Sequence, residues 1–325
     1  MFTRIFKSDY MYQLAFIVFA AVIIWIRSLL FLTPLCNAPE ISPLYAILLK
    51  VITNNSIILV ILAFTLLFIQ SLEIKRAFST NELINRKDLL VTFIYLLMMS
   101  SSTELYTIHP ILFANLFLIF SLQYILGIYG KPDSFESVFN ASILISIASL
   151  FYFPSIYFII FIWLSFIIYR LYAWREWVVS LIGLSIPYLY LFSYYYVTDQ
   201  LKAKCLTYIE FFKNNHRTTF HPDEGNYIFF TVIGLMSTYI IFNILNRLTE
   251  KSIYYRKKVL VLSMFLLMSF LTLIFSGKYF TYHLSIVFIP LSFFFSTHIQ
   301  QIKRMVISEL FFIILIIAMV LNILL

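Results

Sequence analysis

Long uninterrupted apolar runs are the feature of this sequence that most restricts its fold. A helix needs about 20 consecutive apolar residues to cross the hydrocarbon core of a bilayer. Eleven such runs occur, at residues 12–33, 56–73, 89–105, 110–128, 138–153, 155–171, 178–197, 227–245, 259–275, 280–297 and 306–325. They are continuously apolar, whereas the strands of a membrane β-barrel alternate. The sequence therefore predicts an all-α polytopic transmembrane helix bundle, a single integral membrane domain over residues 1–325.

The composition excludes the other broad classes of protein. Hydrophobic residues make up 62% of the chain and charged residues 12%, against about 45–50% and about 25% in soluble domains. Too little polar surface is left to cover a water-soluble fold. The 6 Gly and 2 Cys residues also exclude a collagen-like chain and a disulfide scaffold.

The basic residues predict the orientation, because Lys and Arg are retained in cytoplasmic loops. With the N-terminus inside, sixteen of the 23 basic residues fall in inner loops: Arg4, Lys7, Lys75, Arg76, Arg86, Lys87, Lys131, Arg170, Arg175, Arg247, Lys251, Arg256, Lys257, Lys258, Lys303 and Arg304. The sequence predicts an N-in/C-out protein of the bacterial inner (cytoplasmic) membrane. Cys36 and Cys205 then lie outside, where two free thiols are favoured over a disulfide.

The net charge of +8 is explained by this orientation. The basic residues are spread over six inner loops and do not form one basic face, so no nucleic-acid partner is predicted. Membrane lipids are the expected partners, since cationic loops attract anionic headgroups. A membrane-protein partner is a further expectation.

Three features are predicted on the outer side. Residues 41–52 form an apolar segment too short to span, which favours an interfacial or re-entrant helix with Pro43 in its first turn. The long loop 199–226 begins with an amphipathic helical pattern and continues with the most polar run of the chain. Residues 277–283 place Lys278 and His283 among aromatic residues.

Ionisable residues within or beside these spans are the candidates for function, since charge is costly in a bilayer. Arg27 lies within the first run and Glu104 near the outer end of the third, and both are expected to face the interior of the bundle. His109 and Glu309 lie at the ends of runs, where side chains that extend to the lipid headgroups are favoured over functional groups.

An outer carboxylate beside outer cations suits chemistry on a phosphate-linked lipid. Glu40 or Glu104 would act as the general base on an acceptor. The phosphate of the carrier would be bound by His216, Arg217, Lys278 and His283. A solvated polar cap that binds no substrate is the competing interpretation of the same loop.

No motif for a cofactor or a metal is present. The sequence has no phosphate-binding GxxxxGK[ST] loop, no GxGxxG motif after a strand and no HExxH motif. His216 and His221 are five residues apart, with no Cys or His pair to complete a zinc site. No cofactor and no metal are therefore expected.

Several motifs in the first 200 residues resemble a family of uncharacterised polytopic inner-membrane proteins of Gram-negative bacteria. They are Arg86-Lys-Asp-Leu-Leu with Glu104, His109-Pro-Ile-Leu-Phe-Ala-Asn115, and Asn140-Ala-Ser with Ser149-Leu-Phe-Tyr-Phe-Pro154. The resemblance implies a multi-pass membrane protein and no particular activity.

The order of spans and outer segments is also similar, more distantly, to that of the GT-C membrane glycosyltransferases. The stretch from Gly277 to Pro290 looks like the basic and aromatic segment that opens a late helix there. This resemblance implies transfer of a sugar from a polyprenyl-phosphate carrier at the outer leaflet. The first outer loop departs from that pattern, because it has Glu40 and no Asp.

Three functions remain open from the sequence. The first is an enzyme of envelope biogenesis that acts on a polyprenyl-phosphate-linked substrate, as a glycosyltransferase. The second is a transporter or flippase for a small molecule or lipid, with Arg27 and Glu104 along the path. The third is a non-catalytic scaffold subunit that binds another membrane protein.

Overall fold

A computed structural model of the protein describes residues 6, 9–30, 42–51, 56–131, 133–214, 224–275, 279–302 and 304–324. Within these residues there are thirteen α-helices and no strand, which confirms the all-α prediction. The helices are α1 Tyr10–Leu30, α2 Pro43–Val51, α3 Ser56–Thr80, α4 Leu90–Met99, α5 Pro110–Leu126, α6 Phe135–Phe151, α7 Phe158–Tyr169, α8 Trp174–Val197, α9 Leu201–Asn214, α10 Glu224–Asn246, α11 Ile253–Thr272, α12 Phe280–Gln301 and α13 Met305–Leu324. Short 3₁₀ turns lie at Thr103–Tyr106, Phe153–Tyr157, Leu248–Glu250 and Leu273–Phe275.

In the described part of the chain, five helices are long and apolar enough to cross a bilayer. They are Ile57–Thr80, Trp174–Val197, Phe229–Glu250, Ile253–Phe275 and Phe280–Gln301. Six shorter apolar helices of 10–17 residues coincide with the other predicted runs. The shortest, α4, rises only about 15 Å at 1.5 Å per residue, half of the bilayer core. The structure thus supports a membrane protein, whereas eleven crossings and the N-in/C-out orientation stay predictions.

Helix α12 is the central helix of the bundle. Every residue from His283 to Ile299 is buried, and α12 packs against α4, α5, α10 and α11. By contrast, only 11% of the apolar 18-residue stretch of α8 is buried. Side chains such as Leu189 and Tyr190 on α8 are exposed. Apolar surface of this extent is expected to face lipid.

Small residues allow α6 and α8 to approach closely. An added Cβ on Gly183 of α8 would lie 2.5 Å from Ser142 Oγ of α6. One turn further along, Ser146 donates a hydrogen bond to the carbonyl of Leu184 at 2.7 Å. Small residues at the contact are the usual basis of helix packing in membranes, because lipid tails are as apolar as the helix surfaces.

Polar contacts define the two ends of the bundle. At one end, Tyr45 of α2 donates a hydrogen bond to the carbonyl of Ile108 at 3.0 Å, beside the turn that carries Glu104. At the other end, Lys258 of α11 donates to the carbonyl of Asn81 at 3.0 Å. We name these the Glu104 end and the Lys258 end. The basic-residue pattern predicts that the Glu104 end lies outside the cell.

Candidate functional site

The structure describes the side chains of two of the seven residues predicted from the sequence for the site. These are Glu104 and His283. The positions of Glu40, His216, Arg217 and Lys278 lie outside the described residues, as does the side chain of Arg27 on α1. Their proposed roles stay predictions. His283 lies in the first turn of α12 and Glu104 lies on the 3₁₀ turn Thr103–Tyr106, both at the Glu104 end.

Glu104 is exposed on a firmly held turn, so the prediction that it faces the interior of the bundle is wrong: it lies on a 3₁₀ turn beyond the end of α4, not on a packed helix face. Its neighbours Leu105 and Tyr106 are buried, and the Tyr106 hydroxyl donates to the carbonyl of Ser100 at 2.9 Å. The Thr107 hydroxyl donates to the carbonyl of Glu104 itself at 3.1 Å. Buried neighbours and local hydrogen bonds fix the backbone, so that the carboxylate is presented to the surroundings from a rigid position.

His283 lies in the interior and joins three segments of the chain. Its Nδ1 is 2.9 Å from the Tyr152 hydroxyl, and its Nε2 is 3.1 Å from Thr272 Oγ1 and 3.2 Å from the carbonyl of Ser269. Because a carbonyl only accepts, Nε2 carries the proton and Nδ1 accepts from Tyr152. The ring is fully buried. A phosphate could contact it only if these partners separated.

His109 has a structural role, but it is fully buried and does not reach the headgroups as its position at the end of a run predicted. It precedes Pro110, and its Nδ1 accepts a hydrogen bond from the backbone N–H of Leu112 at 3.2 Å, which caps α5. Its ring packs on Tyr282 of α12, with 4.8 Å between the ring centroids.

A buried set of polar side chains crosses the bundle below this end, and sequence reasoning missed it. The Tyr95 hydroxyl donates to Gln70 Oε1 at 2.8 Å, and Gln70 donates to the carbonyl of Leu112 at 2.6 Å. Asn115 of α5 donates to Ser285 Oγ of α12 at 2.8 Å. The sequence signal for this set was the side-chain amides of Gln70 and Asn115 within apolar runs. A polar side chain within a membrane helix needs a hydrogen-bond partner in the bundle.

The Lys258 end has an open cleft of ≈ 950 Å³, which sequence reasoning also missed. It lies among the ends of α3, α5, α6 and α11. Its ionisable lining residues are Glu73, Arg76, Glu82, Lys131 and Lys258, together with Tyr124, Tyr129 and Tyr254. From the sequence, these cations are explained by orientation alone. They lie far apart along the chain, so the sequence does not show that they meet in one cleft.

The charged groups of this cleft are only partly paired with one another. Arg76 Nη1 lies 3.5 Å from Glu73 Oε1. The other carboxylate oxygen of Glu73, Oε2, is buried and has no hydrogen-bond partner within the described residues. Lys258 Nζ donates to the carbonyl of Asn81 and lies 5.0 Å from the centroid of the Tyr254 ring. The cleft thus combines held cations with an unpaired carboxylate oxygen.

A second cleft of ≈ 970 Å³ lies at the same end, between the α3–α4 loop and the end of α12. Arg86, Lys87 and Lys251 line it, together with Tyr255 and Gln300. Both clefts are on the opposite side of the bundle from Glu104. In the described part of the chain, no three His, Cys, Asp or Glu side chains are grouped as metal ligands.

Comparison with known proteins gives a family and no activity. The model of a family described as "Family of unknown function (DUF6427)" matches residues 40–324, well beyond the first 200 residues of the predicted resemblance. No curated protein and no solved structure matches the chain. The resemblance to an uncharacterised family is confirmed, whereas a Gram-negative origin and the likeness to GT-C enzymes stay predictions. The chain belongs to the family of unknown function DUF6427.

Proposed function

We propose that this protein acts in envelope biogenesis in the inner membrane of a Gram-negative bacterium. In this proposal it crosses the membrane eleven times with its N-terminus inside, and it transfers a sugar from a polyprenyl-phosphate carrier at the outer leaflet. The substrate reaches it from the surrounding lipid. Five long apolar helices are compatible with the membrane location.

The observation that supports this proposal is the rigid presentation of Glu104. An exposed carboxylate stands on a turn whose neighbours are buried, at the end of the bundle predicted to face outward. The short helix α2 is attached to the same end through the Tyr45–Ile108 hydrogen bond. A fixed carboxylate at the surface of a bilayer is what a general base needs to reach an acceptor hydroxyl.

The reaction in this proposal is a single displacement. Glu104, or Glu40, takes the proton of the acceptor hydroxyl, whose oxygen attacks the anomeric carbon of the donor sugar. The bond from that carbon to the phosphate oxygen breaks, and the polyprenyl phosphate leaves with the electron pair. His216, Arg217 and Lys278 would stabilise the phosphate. His283 is buried, so it does not contact the phosphate in this proposal. Its role is to hold the beginning of α12 in place, close in sequence to Lys278.

The test compares Glu104→Gln with Glu210→Gln in cells that lack the native gene. Removing a general base lowers a rate by about 10²–10⁴-fold, so the Glu104→Gln cells should lose the sugar-modified envelope product in a mass-spectrometric glycan profile. Glu210 is another exposed carboxylate, on α9, and its variant should keep the wild-type profile. Glu40→Ala is examined in parallel.

An unchanged profile in both the Glu104 and the Glu40 variants, alone and combined, would overturn the proposal. Equal amounts of each variant in the membrane fraction are the control for expression.

A further inference from the structure

The cleft at the Lys258 end has the mixed charge of a binding site for a zwitterion. Its cations and carboxylates come from different elements: Glu73 and Arg76 from α3, Lys131 from the turn after α5, and Lys258 from α11. A volume of ≈ 950 Å³ is within the range of ligand sites in proteins, about 300–1,000 Å³.

Glu73 requires a donor that the described residues do not supply. One carboxylate oxygen is near Arg76, at 3.5 Å, and the other is buried without a hydrogen-bond partner. Buried acceptors in native structures almost always have a partner. The Glu73 side chain as a whole is 20% exposed and lines the cleft, so a ligand ammonium, which carries three N–H donors, can approach the accessible part of the carboxylate and match its charge.

Two lysines on the cleft suit a phosphate. The Lys258 ammonium is held by Asn81 and by the Tyr254 ring; one hydrogen bond to Asn81 uses one of its three donors. Lys131 is exposed at the rim. Lysine ammonium groups are common phosphate ligands, which act as compact point charges.

The remaining wall of the cleft has an apolar part beside the polar side chains of Thr80, Gln123 and Asn140. Phe120 of α5 and Ile143 and Leu144 of α6 line it and are half-buried. Apolar residues that continue from a charged rim into the helical region suit a molecule with a charged head and an apolar tail. This favours a lipid over a fully polar solute.

We propose that this cleft binds a phosphodiester bearing a primary amine, the chemistry of an ethanolamine phospholipid headgroup. Lys131 and Lys258 bind the phosphate, and Glu73 accepts hydrogen bonds from the ammonium. The inference does not depend on glycosyl transfer. The same chemistry occurs in the soluble ester glycerophosphoethanolamine, and the experiment separates the two sources.

The test titrates lipids onto the purified full-length protein in detergent and counts bound molecules by native mass spectrometry. The probes are phosphatidylethanolamine, phosphatidylcholine, which has the same phosphate but no N–H donor, and phosphatidylglycerol, which has no amine. We expect the ethanolamine lipid to bind about tenfold more tightly than the choline lipid, because a hydrogen bond to a charged group is worth roughly that factor or more.

Two variants assign the binding to the cleft. Glu73→Gln should abolish the preference for the ethanolamine lipid, and Lys131→Gln should weaken all three phospholipids severalfold, since Lys131 contacts the shared phosphate. The matched controls are Glu250→Gln, an exposed carboxylate at the same end, and Lys202→Gln, an exposed lysine on α9. Both controls should bind as the wild type does. Lys131 is exposed, so its variant tests the site even where Glu73→Gln does not fold.

Competition with glycerophosphoethanolamine identifies the source of the ligand. If the soluble ester displaces the bound lipid, the site exists and its ligand is the soluble ester. If it does not, the site exists and its ligand is the lipid. Equal affinity of the wild type for the ethanolamine and choline lipids would overturn the proposal. Unchanged lipid binding by the Lys131→Gln variant would overturn it as well.

Discussion

Gly130 shows how one residue shapes the rim of the cleft at the Lys258 end. Its φ is +88°, a backbone conformation that favours glycine. An added Cβ would lie 1.5 Å from the Tyr254 hydroxyl, which donates a hydrogen bond to the carbonyl of Tyr129 at 2.7 Å. Both the backbone conformation and the contact with Tyr254 therefore require a glycine, and Tyr254 in turn packs beside Lys258.

We expect Gly130→Ala to lower the thermal unfolding midpoint of the purified protein. The strained φ alone costs about 1–3 kcal/mol, and the clash displaces Tyr254. Gly234→Ala is the matched control, because nothing lies within 4 Å of a Cβ added there and alanine favours the helix. Differential scanning fluorimetry in detergent measures both. Equal midpoints for Gly130→Ala and the wild type would contradict the expectation.

Individual site residues could be predicted to different extents. Glu104 was selected from the sequence as a charge near the end of an apolar run, and the structure gives it an exposed carboxylate. His283 was selected by the same reasoning, but its three partners bury it. A sequence shows that a histidine lies near a helix end. Whether the ring turns outward or inward depends on neighbours that are distant in the sequence.

At the scale of elements, the loop between α3 and α4 is attached to α12 through Asp88. Its Oδ1 accepts a hydrogen bond from the backbone N–H of Leu90 at 2.9 Å, and its Oδ2 accepts from the side chain of Gln300. Burial raises the pKa of Asp88 above the ordinary value of 3.8; the hydrogen bonds from Leu90 and Gln300 and the charge of Lys75 act in the opposite direction.

This raised pKa predicts a pH dependence of stability. The folded protein binds the Asp88 proton more tightly than the unfolded chain, so the contribution of this proton is largest at acid pH. It is lost as the pH rises from 3.8 through the raised pKa. Asp88→Asn cannot ionise, and we expect it to gain stability relative to the wild type as the pH rises.

The measurement is the difference in unfolding midpoint between variant and wild type over a pH series from acid to neutral. Asp133→Asn, which removes an exposed carboxylate in another loop, is the control and should show a smaller pH-dependent difference. A difference for Asp88→Asn that does not change with pH would show that burial does not shift this carboxyl group.

At the scale of the whole molecule, charged groups lie at the two ends of the bundle and the buried helix α12 joins these ends. Helix α12 starts at the Glu104 end, where His283 lies, and finishes beside Asp88 at the Lys258 end. Glu104 and the cleft are therefore on opposite sides of the bundle. If the predicted orientation holds, Glu104 faces outward and the cleft faces the cytoplasm.

Labelling with a membrane-impermeant maleimide tests this orientation in intact spheroplasts. Cys205 on α9 is a free thiol of intermediate exposure, and in a Cys36→Ser variant it should react from outside. A Lys251→Cys variant that also carries Cys36→Ser and Cys205→Ser should react only after the membrane is permeabilised. The opposite labelling pattern would show that the topology is inverted and that the cleft faces outward.

The sequence by itself determined the class of the protein and the positions of most helices. Both depend on local patterns: an apolar run of sufficient length forms a helix in lipid, whatever surrounds it. Each of the eleven runs accordingly overlaps an α-helix in the described residues, although in the run 89–105 the helix covers only Leu90–Met99. The segment 41–52, predicted to be interfacial or re-entrant, and the start of the loop 199–226 also contain helices, Pro43–Val51 and Leu201–Asn214.

The tertiary structure alone decided which helix is central, where the cleft lies and which polar residues meet. Asn115 and Ser285 are 170 residues apart in the sequence, and Asn81 and Lys258 are 177 residues apart. The physical reason is that lipid tails are as apolar as the side chains of the bundle. A helix that is apolar all round therefore carries no sign of which face is turned to lipid and which to its neighbours. Only packing decides that.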